Sequence, residues 1–183
     1  MIEGKGANYD PVAKSLHWIE LGLLIAQFTF GWTMPHIGRT VPSSILIDCH
    51  IWFGVTILLV AAIRLAWRLI HGEPEPESGF PPWQTTTARI THWLLYCLLF
   101  AVPILGWLNA SWRGIPVTFF GVFELPKLLG TRVPGWAWTG DIHSLLADYV
   151  LLALVGLHVA AAFYHYFVRR DGVLQRMLPR RLL

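Results

Sequence analysis

The sequence predicts an all-α fold, an integral membrane four-helix bundle that forms a single domain over residues 1–183. Three observations predict it. Hydrophobic residues make up 55% of the chain and charged residues only 14%, whereas a soluble domain carries about 25% charged residues. The hydrophobic residues gather into four segments, each at least as long as the roughly 20 apolar residues that a spanning helix needs. Helices satisfy their own backbone hydrogen bonds in lipid, so each segment is expected to be helical.

The four predicted helices follow one another at 15–34, 45–70, 88–112 and 140–168. The first ends before Pro35, and it is too long and too polar, with His17 and Glu20, for a cleavable signal peptide. The second has an uninterrupted apolar interior. The third contains Pro103, which membrane helices tolerate. The fourth contains the stretch LLADYVLLALVGLHVAAAFYHYF.

The three connections differ in composition. The first, 35–44, is short. The second, 71–83, is rich in Pro and Glu and is expected to be extended and solvated. The third, 113–139, is the longest and carries Gly, Pro and aromatic residues. We expect this third connection to fold into a cap over one end of the bundle.

The distribution of Lys and Arg predicts the orientation, because these residues accumulate on the cytoplasmic side. Ten of the 14 flank the two ends of the chain and the second connection, and four lie on the other side: Arg39, Arg113, Lys127 and Arg132. Both termini are therefore expected in the cytoplasm, with the protein in the inner membrane if the source is bacterial. The basic residues flank helices instead of clustering on one soluble face, so nucleic acid is not an expected partner.

Histidines occur inside the predicted helices at two depths. His50 and His143 each lie within about a turn of the outer start of their helix. His158 is 15 residues beyond His143, about 22 Å deeper and about 60° further round the helix. His17 and His92 share this inner layer, and His165 lies lower still. Ionisable residues in a span are costly, which makes each a candidate functional residue.

Two layers of imidazoles inside a four-helix bundle favour two stacked haems, because bundles build cofactor sites from facing helices. Ligation of iron by two histidines favours electron transfer over oxygen binding. The chain has no CxxCH motif, so the haems would be of the b type, held by ligands alone. Two alternatives remain: individual interfacial histidines, and zinc, which prefers four tetrahedral ligands.

Five stretches of the chain share a pattern with known proteins. They are SLHWIE at 15–20, HIWFGVTILLVAAIRLAWRL at 50–69, ITHWLLYCLLFAVPILGW at 90–107, FFGVFELPKL at 119–128 and IHSLLADYVLLALVGLHVAAAFYHYFVRRDGVLQRMLP at 142–179. Over nearly its whole length the chain resembles the bacterial cytochrome b-561 family of small four-helix di-haem membrane proteins, which includes superoxide oxidase.

The resemblance implies axial ligands for both haems. They would be His50 and His143 for the periplasmic haem, and His17 and His158 for the cytoplasmic haem. His92 matches a recurrent histidine of the third helix, and the resemblance leaves it either at a quinone site, beside the haem propionates, or as an alternative ligand. The chain departs from the family pattern at Ser144, where Glu is common, and at Tyr166, where a second histidine is common.

Three further polar residues lie at the inner level. Arg64 is expected to neutralise a haem propionate with a bidentate contact or, alternatively, to extend to the lipid headgroups. Glu20 is expected to orient an imidazole, to pass protons to a quinone, or to be a plain interfacial carboxylate. His165 is a candidate for the quinone site. Asp148 is expected to hydrogen-bond a neighbouring helix or a haem edge, and no functional role is assigned to it. Gly31, Gly54, Gly106 and Gly156 could give haem rings room or simply allow close helix packing.

The resemblance implies that the protein, surrounded by lipid, oxidises periplasmic superoxide and reduces ubiquinone. Superoxide is an anion, so Arg39, Arg113, Lys127 and Arg132 would steer it to the outer haem. The alternative is a cytochrome b that carries electrons between the quinone pool and a periplasmic redox protein or larger complex. A third hypothesis is a membrane anchor or transporter without redox function.

Overall fold

Four long helices make up most of the chain. The computed structural model describes residues 8–37, 44–75 and 80–178. Within them the helices are α1 (Pro11–Thr33), α2 (Ile45–His71), α3 (Pro82–Arg113) and α4 (Trp138–Arg169). The prediction of four helices in an all-α bundle is confirmed, with α1 starting four residues and α3 six residues earlier than expected.

The early start of α1 is explained by its cap. The Asp10 carboxylate accepts hydrogen bonds from Val12 N at 2.9 Å and Ala13 N at 3.0 Å, which satisfies backbone donors that the first turn leaves unpaired. Trp67 Nε1 on α2 donates to the second Asp10 oxygen at 3.1 Å. Burial opposes the charged form, but these hydrogen bonds outweigh it and hold the pKa of Asp10 below its usual value.

The early start of α3 follows from Pro82 at its first position, where the fixed φ of proline suits a helix and its missing N–H is not needed. The helix continues through Pro103 and ends at Gly114, whose φ of 77° is left-handed. The sequence predicts the start of α3 six residues too late, because apolar composition alone does not register the helix-starting property of Pro82.

Helix α4 is one continuous helix with two π-helical segments, Leu146–Leu151 and Tyr164–Arg169. It ends where Arg170 adopts a left-handed φ of 55°. π segments inside an α-helix are uncommon and are found frequently at functional sites. The first of them lies between the two histidines on which the sequence argument depends, His143 and His158.

The third connection folds into a cap, as expected. It contains a two-stranded antiparallel hairpin, β1 (Thr118–Phe119) with β2 (Phe123–Glu124). Tryptophan side chains tie the cap to the helices. Trp52 Nε1 donates to Thr118 Oγ1 at 2.9 Å, and Trp112 Nε1 donates to the carbonyl of Val133 at 2.9 Å.

In the part of the chain that the structure describes, three helices, α2, α3 and α4, are long and apolar enough to cross a membrane. Helix α1 has 23 residues, about 34 Å at 1.5 Å per residue. It is long enough to span, but His17, Glu20 and Gln27 lower its hydropathy. The outward side chains of the bundle are apolar and exposed, for example Leu69 at 67% and Ile25 at 62%. Such a surface is what lipid covers.

The helices pack in chain order and leave a slot. Ile57, Ala61 and Leu99 form the buried core of the bundle, with Leu23 and Leu24 packed against it. Helix α4 packs against α3. Across the described ranges, no Cα atom of α4 lies within 8 Å of one in α1 or α2, whereas directly packed helices have axes only about 8–10 Å apart. A slot therefore separates α4 from the α1–α2 pair.

The two described ends of the chain meet at one end of the bundle. The segment after α4 returns across the start of α1, where Lys14 Nζ donates to the carbonyl of Leu178 at 2.9 Å and Trp18 Nε1 to that of Met177 at 2.8 Å. Arg176 Nη1 also donates to the carbonyl of Glu75 at 2.6 Å. This agrees with both termini lying on one side of the membrane, and the cytoplasmic assignment stays a prediction.

Candidate haem-binding site

Two histidines face each other across the slot at the outer end. The ring centres of His50 on α2 and His143 on α4 lie 6.0 Å apart, and the ring planes cross at 87°. A bond from histidine nitrogen to a metal is about 2 Å long, and the ring centre lies roughly 1 Å further out, so two imidazoles on opposite sides of one metal have centres roughly 6 Å apart. The observed spacing suits one iron between the rings.

The ring of His143 is held in the tautomer that a ligand needs. Its Nδ1 lies 2.8 Å from the backbone carbonyl of Val102. A carbonyl only accepts, so Nδ1 carries the proton and donates it, and Nε2 keeps its lone pair. Histidines that bind metals almost always donate their second ring N–H in this way.

Two glycines make room for these rings. A Cβ at Gly106 would lie 3.0 Å from Cε1 and 3.1 Å from Nδ1 of His143, and a Cβ at Gly31 would lie 3.3 Å from Cε1 of His50. All three distances are shorter than an ordinary carbon contact of about 3.5–4.0 Å. A Cβ at Gly54 would meet Gln27 Nε2 at 3.4 Å, and one at Gly156 would meet nothing within 4 Å. Gly31 and Gly106 therefore serve the histidines themselves.

Two cavities meet at the outer pair. Both are lined by His50, His143, Gly54 and Pro103, and together they draw on α1, α2, α3 and α4. Gln27 lines both as well, with its Nε2 3.2 Å and 3.3 Å from the two ring nitrogens of His50. The sequence argument missed Gln27, although a polar residue at this depth of a helix was itself a signal.

The inner layer contains three rings. The ring centres of His17 on α1 and His158 on α4 are 6.1 Å apart at 74°, and those of His92 on α3 and His158 are 5.4 Å apart at 66°. His158 is thus shared. The His17–His158 distance matches that of the outer pair, and the His92–His158 distance is 0.7 Å shorter.

The donor set fits iron held in a porphyrin and does not fit zinc. Within residues 8–37, 44–75 and 80–178, no group of three or more His, Cys, Asp or Glu side chains could hold a metal ion. Structural zinc needs four such ligands. Iron in a porphyrin already has four nitrogen ligands in the ring plane and needs only an axial pair, which each layer offers.

The prokaryotic cytochrome b561 family model matches residues 8–180. This chain belongs to that family. It is therefore a haem-binding, electron-transferring membrane cytochrome, and the hypothesis of a membrane anchor without redox function is set aside.

Curated relatives of this cytochrome match over nearly their whole length. Cytochrome b561 homolog 2 of Escherichia coli strain K12 is 29% identical, covering 93% of this chain and 91% of the relative. Cytochrome b562 of Cereibacter sphaeroides is 30% identical, covering 93% and 95%. A probable superoxide oxidase, CybB, of Yersinia pestis is 27% identical, covering 95% and 97%.

Arg64 of this cytochrome points into the bundle. Its Nη2 lies 2.9 Å from His17 Nδ1, and its guanidinium lies 5.5 Å from the centre of the Tyr96 ring. Arg64 thus contacts a histidine of the inner layer, and its role toward a haem propionate stays a prediction. Arginine only donates, so here Nδ1 of His17 accepts, and a neutral ring then carries its proton on Nε2. Ligation through Nε2 would require Arg64 to leave this nitrogen.

Glu20 of the cytochrome is buried, with 2% of its surface exposed. Neither carboxyl oxygen has a hydrogen-bond partner among the described residues. An interfacial carboxylate would reach water, so that interpretation of Glu20 is wrong. The charged group that acts on it electrostatically is Arg64.

His165 lies apart from the inner rings. Its Nδ1 is 2.7 Å from Asp171 Oδ2, and its ring centre is 5.3 Å from that of Phe80. No ring contact joins it to His17, His92 or His158 in the described ranges. It belongs instead to the polar cluster at the end of α4, together with Arg169, whose Nε is 3.6 Å from Asp171 Oδ2.

Two of the four proposed superoxide-steering cations come together. The guanidinium carbons of Arg113 and Arg132 lie 5.8 Å and 4.8 Å from the centre of the Trp112 ring. Lys127 is exposed in the cap. Arg39 lies outside the described residues. Asp148 lines one outer cavity and accepts a hydrogen bond from Trp32 Nε1 of α1 at 3.1 Å, which is the expected contact with another helix.

Proposed function

We propose that this cytochrome holds two b haems in one transmembrane domain, one between His50 and His143 and the other between His17 and His158, and moves electrons from the outer to the inner. The observation that carries the proposal is the pair of ring separations, 6.0 Å and 6.1 Å, at two levels of the same slot. Each bound haem would supply an iron that accepts and gives one electron at a time.

The protein's own residues would set the geometry. The Val102 carbonyl fixes the tautomer of His143, and Gly31 and Gly106 let the outer rings approach the backbone. On haem binding, Arg64 would donate to a haem propionate instead of to His17 Nδ1. A guanidinium can bind a carboxylate with two parallel hydrogen bonds. The apolar walls of the slot would exclude water.

We propose periplasmic superoxide as the electron source and ubiquinone as the acceptor, with the protein in the bacterial inner membrane and both termini cytoplasmic. Two superoxide anions each give one electron and leave as dioxygen, and one ubiquinone takes two electrons and two protons. Support comes from the relative described as a probable superoxide oxidase and from the cations Arg113, Lys127 and Arg132 on the outer side, which would attract an anion. His92, His165 and Glu20 are the candidates for the inner quinone site.

A second candidate is a cytochrome b that exchanges electrons between the quinone pool and a periplasmic redox protein or larger complex. The names of two other relatives, cytochrome b561 homolog 2 and cytochrome b562, favour it because they state the cytochrome class without a reaction. Both candidates use the same two haems and differ only in the outer electron donor.

Two experiments test these proposals in order. A pyridine haemochrome assay on the purified protein should give two b haems per chain, and one or none would contradict the di-haem site. The haem-loaded protein is then placed in lipid with ubiquinone under a steady superoxide flux. Rapid superoxide consumption with matching ubiquinol formation supports the oxidase. Haems that ignore superoxide but accept electrons from ubiquinol support the carrier.

A further inference from the structure

Glu20 lies between the two histidine layers. On α1 it is three residues beyond His17 and seven residues before Gln27, spacings that place all three on one face of a helix. At 1.5 Å per residue, Glu20 is about 4.5 Å further into the bundle than His17 and about 10 Å short of Gln27. Gln27 Nε2 contacts His50, so by residue spacing Glu20 lies on this face of α1 between a residue of the inner pair and the residue that contacts the outer pair.

A carboxyl in this position has no structural partner that would explain it. Its oxygens are buried and accept no hydrogen bond in the described part of the chain. A buried polar group without a partner is costly, and a buried charge without one is costlier still. The protonation state of Glu20 is therefore sensitive to any new charge nearby, because binding a proton is the simplest way for the buried carboxylate to become neutral.

Among the described residues, the charged group that acts electrostatically on Glu20 is Arg64. Helix α1 packs against α2, and from α2 the facing group is Arg64. On α1 itself the ionisable neighbours are His17 and Lys14, and Lys14 is engaged with the Leu178 carbonyl. Across the slot stand His158 of α4 and His92 of α3. The charge balance around Glu20 thus depends on Arg64 and on whatever charge the inner layer carries.

We propose that Glu20 is a redox-linked proton site that takes up one proton on a carboxylate oxygen when an electron arrives at the inner layer and releases it when the electron leaves. This rests on the proposed function. The arriving electron adds one negative charge, and the bound proton cancels it. Glu20 thus takes one proton from the aqueous phase for each electron held at the inner layer. It releases that proton when the electron passes to the quinone, and the quinone needs one proton for each electron that it accepts.

The test uses the haem-loaded protein in lipid, without turnover. Reduced-minus-oxidised infrared difference spectra should contain a carbonyl band of a protonated carboxylic acid that moves in D2O and is absent in Glu20→Gln. Redox titration should show one haem whose midpoint potential falls as the pH rises, approaching about 59 mV per tenfold change in proton concentration. In Glu20→Gln that dependence should be lost.

The matched control is Glu124→Gln, which makes the same carboxyl-to-amide change at an exposed residue of the cap strand β2. It should keep both the infrared band and the pH-dependent potential. Wild-type protein with two haems, no such band and pH-independent potentials would overturn the role of Glu20 while leaving the di-haem proposal intact. A band that persists in Glu20→Gln would overturn it equally. If the purified protein bound no haem, the proposed function itself would be contradicted, and with it the role of Glu20 that rests on it.

Discussion

A methyl group at Gly106 would meet the ring of His143. The Cβ of Gly106→Ala would lie 3.0 Å from Cε1, 3.1 Å from Nδ1 and 3.7 Å from Nε2. Carbon atoms in contact are about 3.5–4.0 Å apart, so the ring must retreat by about 0.5–1 Å. The neighbour in the way is a rigid ring, and it cannot bend aside as a flexible side chain would.

The retreat also breaks the contact that orients the ring. Val102 and Gly106 are one turn apart on α3, so a ring pushed away from one is pushed away from the other. The Nδ1···O distance, now 2.8 Å, would pass the usual limit of about 3.2 Å for such bonds. Loss of a partner that orients a metal-bound histidine lowers metal affinity about 10- to 100-fold. We expect that loss of affinity for the outer haem.

The assay is transfer of haem from the cytochrome to an excess of apo-globin, followed by absorbance. Gly106→Ala should release one haem of the two much faster, while the other keeps its wild-type rate. Gly156→Ala is the control, because a Cβ there meets nothing within 4 Å and the residue lies on the exposed side of α4. If Gly106→Ala released its haems no faster than Gly156→Ala, His143 would not be the anchored ligand that we describe.

Three further predictions concern the inner ligands, the outer cations and the cap of α1. His17→Ala should reduce haemochrome from two haems per chain to one, whereas His92→Ala should keep two; the opposite result would assign the inner iron to His92 and His158. Replacing Arg113 and Arg132 together by Gln should slow superoxide consumption at low salt, with the difference shrinking as salt screens the charges, and a salt-independent difference would speak against steering. Asp10→Ala should lower the free energy of unfolding in detergent by about 1 kcal/mol, with Asp10→Asn, which can still cap, as control. Hydrogen bonds hold the pKa of Asp10 in the folded protein below its value in the unfolded chain. The stabilisation by the ionised carboxylate should therefore be complete above the unfolded pKa of about 3.9 and be lost as the pH falls through the folded pKa. Acid-unfolding curves of wild type and Asp10→Asn would measure this loss.

Helix content and the depth of the histidines were accessible from the sequence because both are local properties. Apolar composition located the helices, and it failed only at polar first turns, where the Asp10 cap and Pro82 begin the helices earlier. Counting residues along a helix placed His50 and His143 in one layer and His17 and His158 in another. The fixed rise of the helix makes such a count reliable.

The directions in which His143 and His158 point from their helix were harder to predict from the sequence. A straight α-helix would turn His158 about 60° from His143. The π segment Leu146–Leu151 widens one turn by about one residue, or roughly 100°, so the offset becomes about 40° to the other side. Nothing in this apolar stretch of sequence indicates the change in angle, because neither proline nor glycine lies within the π segment.

The sequence by itself determined that this is a helical membrane protein with imidazoles at two depths, since hydropathy and helical rise depend only on the order of residues. Only the tertiary structure decided which imidazoles meet. The slot between α4 and the α1–α2 pair, the Val102 carbonyl beneath His143, the glycines beside the rings, the three rings at the inner level and the burial of Glu20 all depend on contacts between separate helices. Such contacts are fixed by packing, which residue order along any one helix does not express.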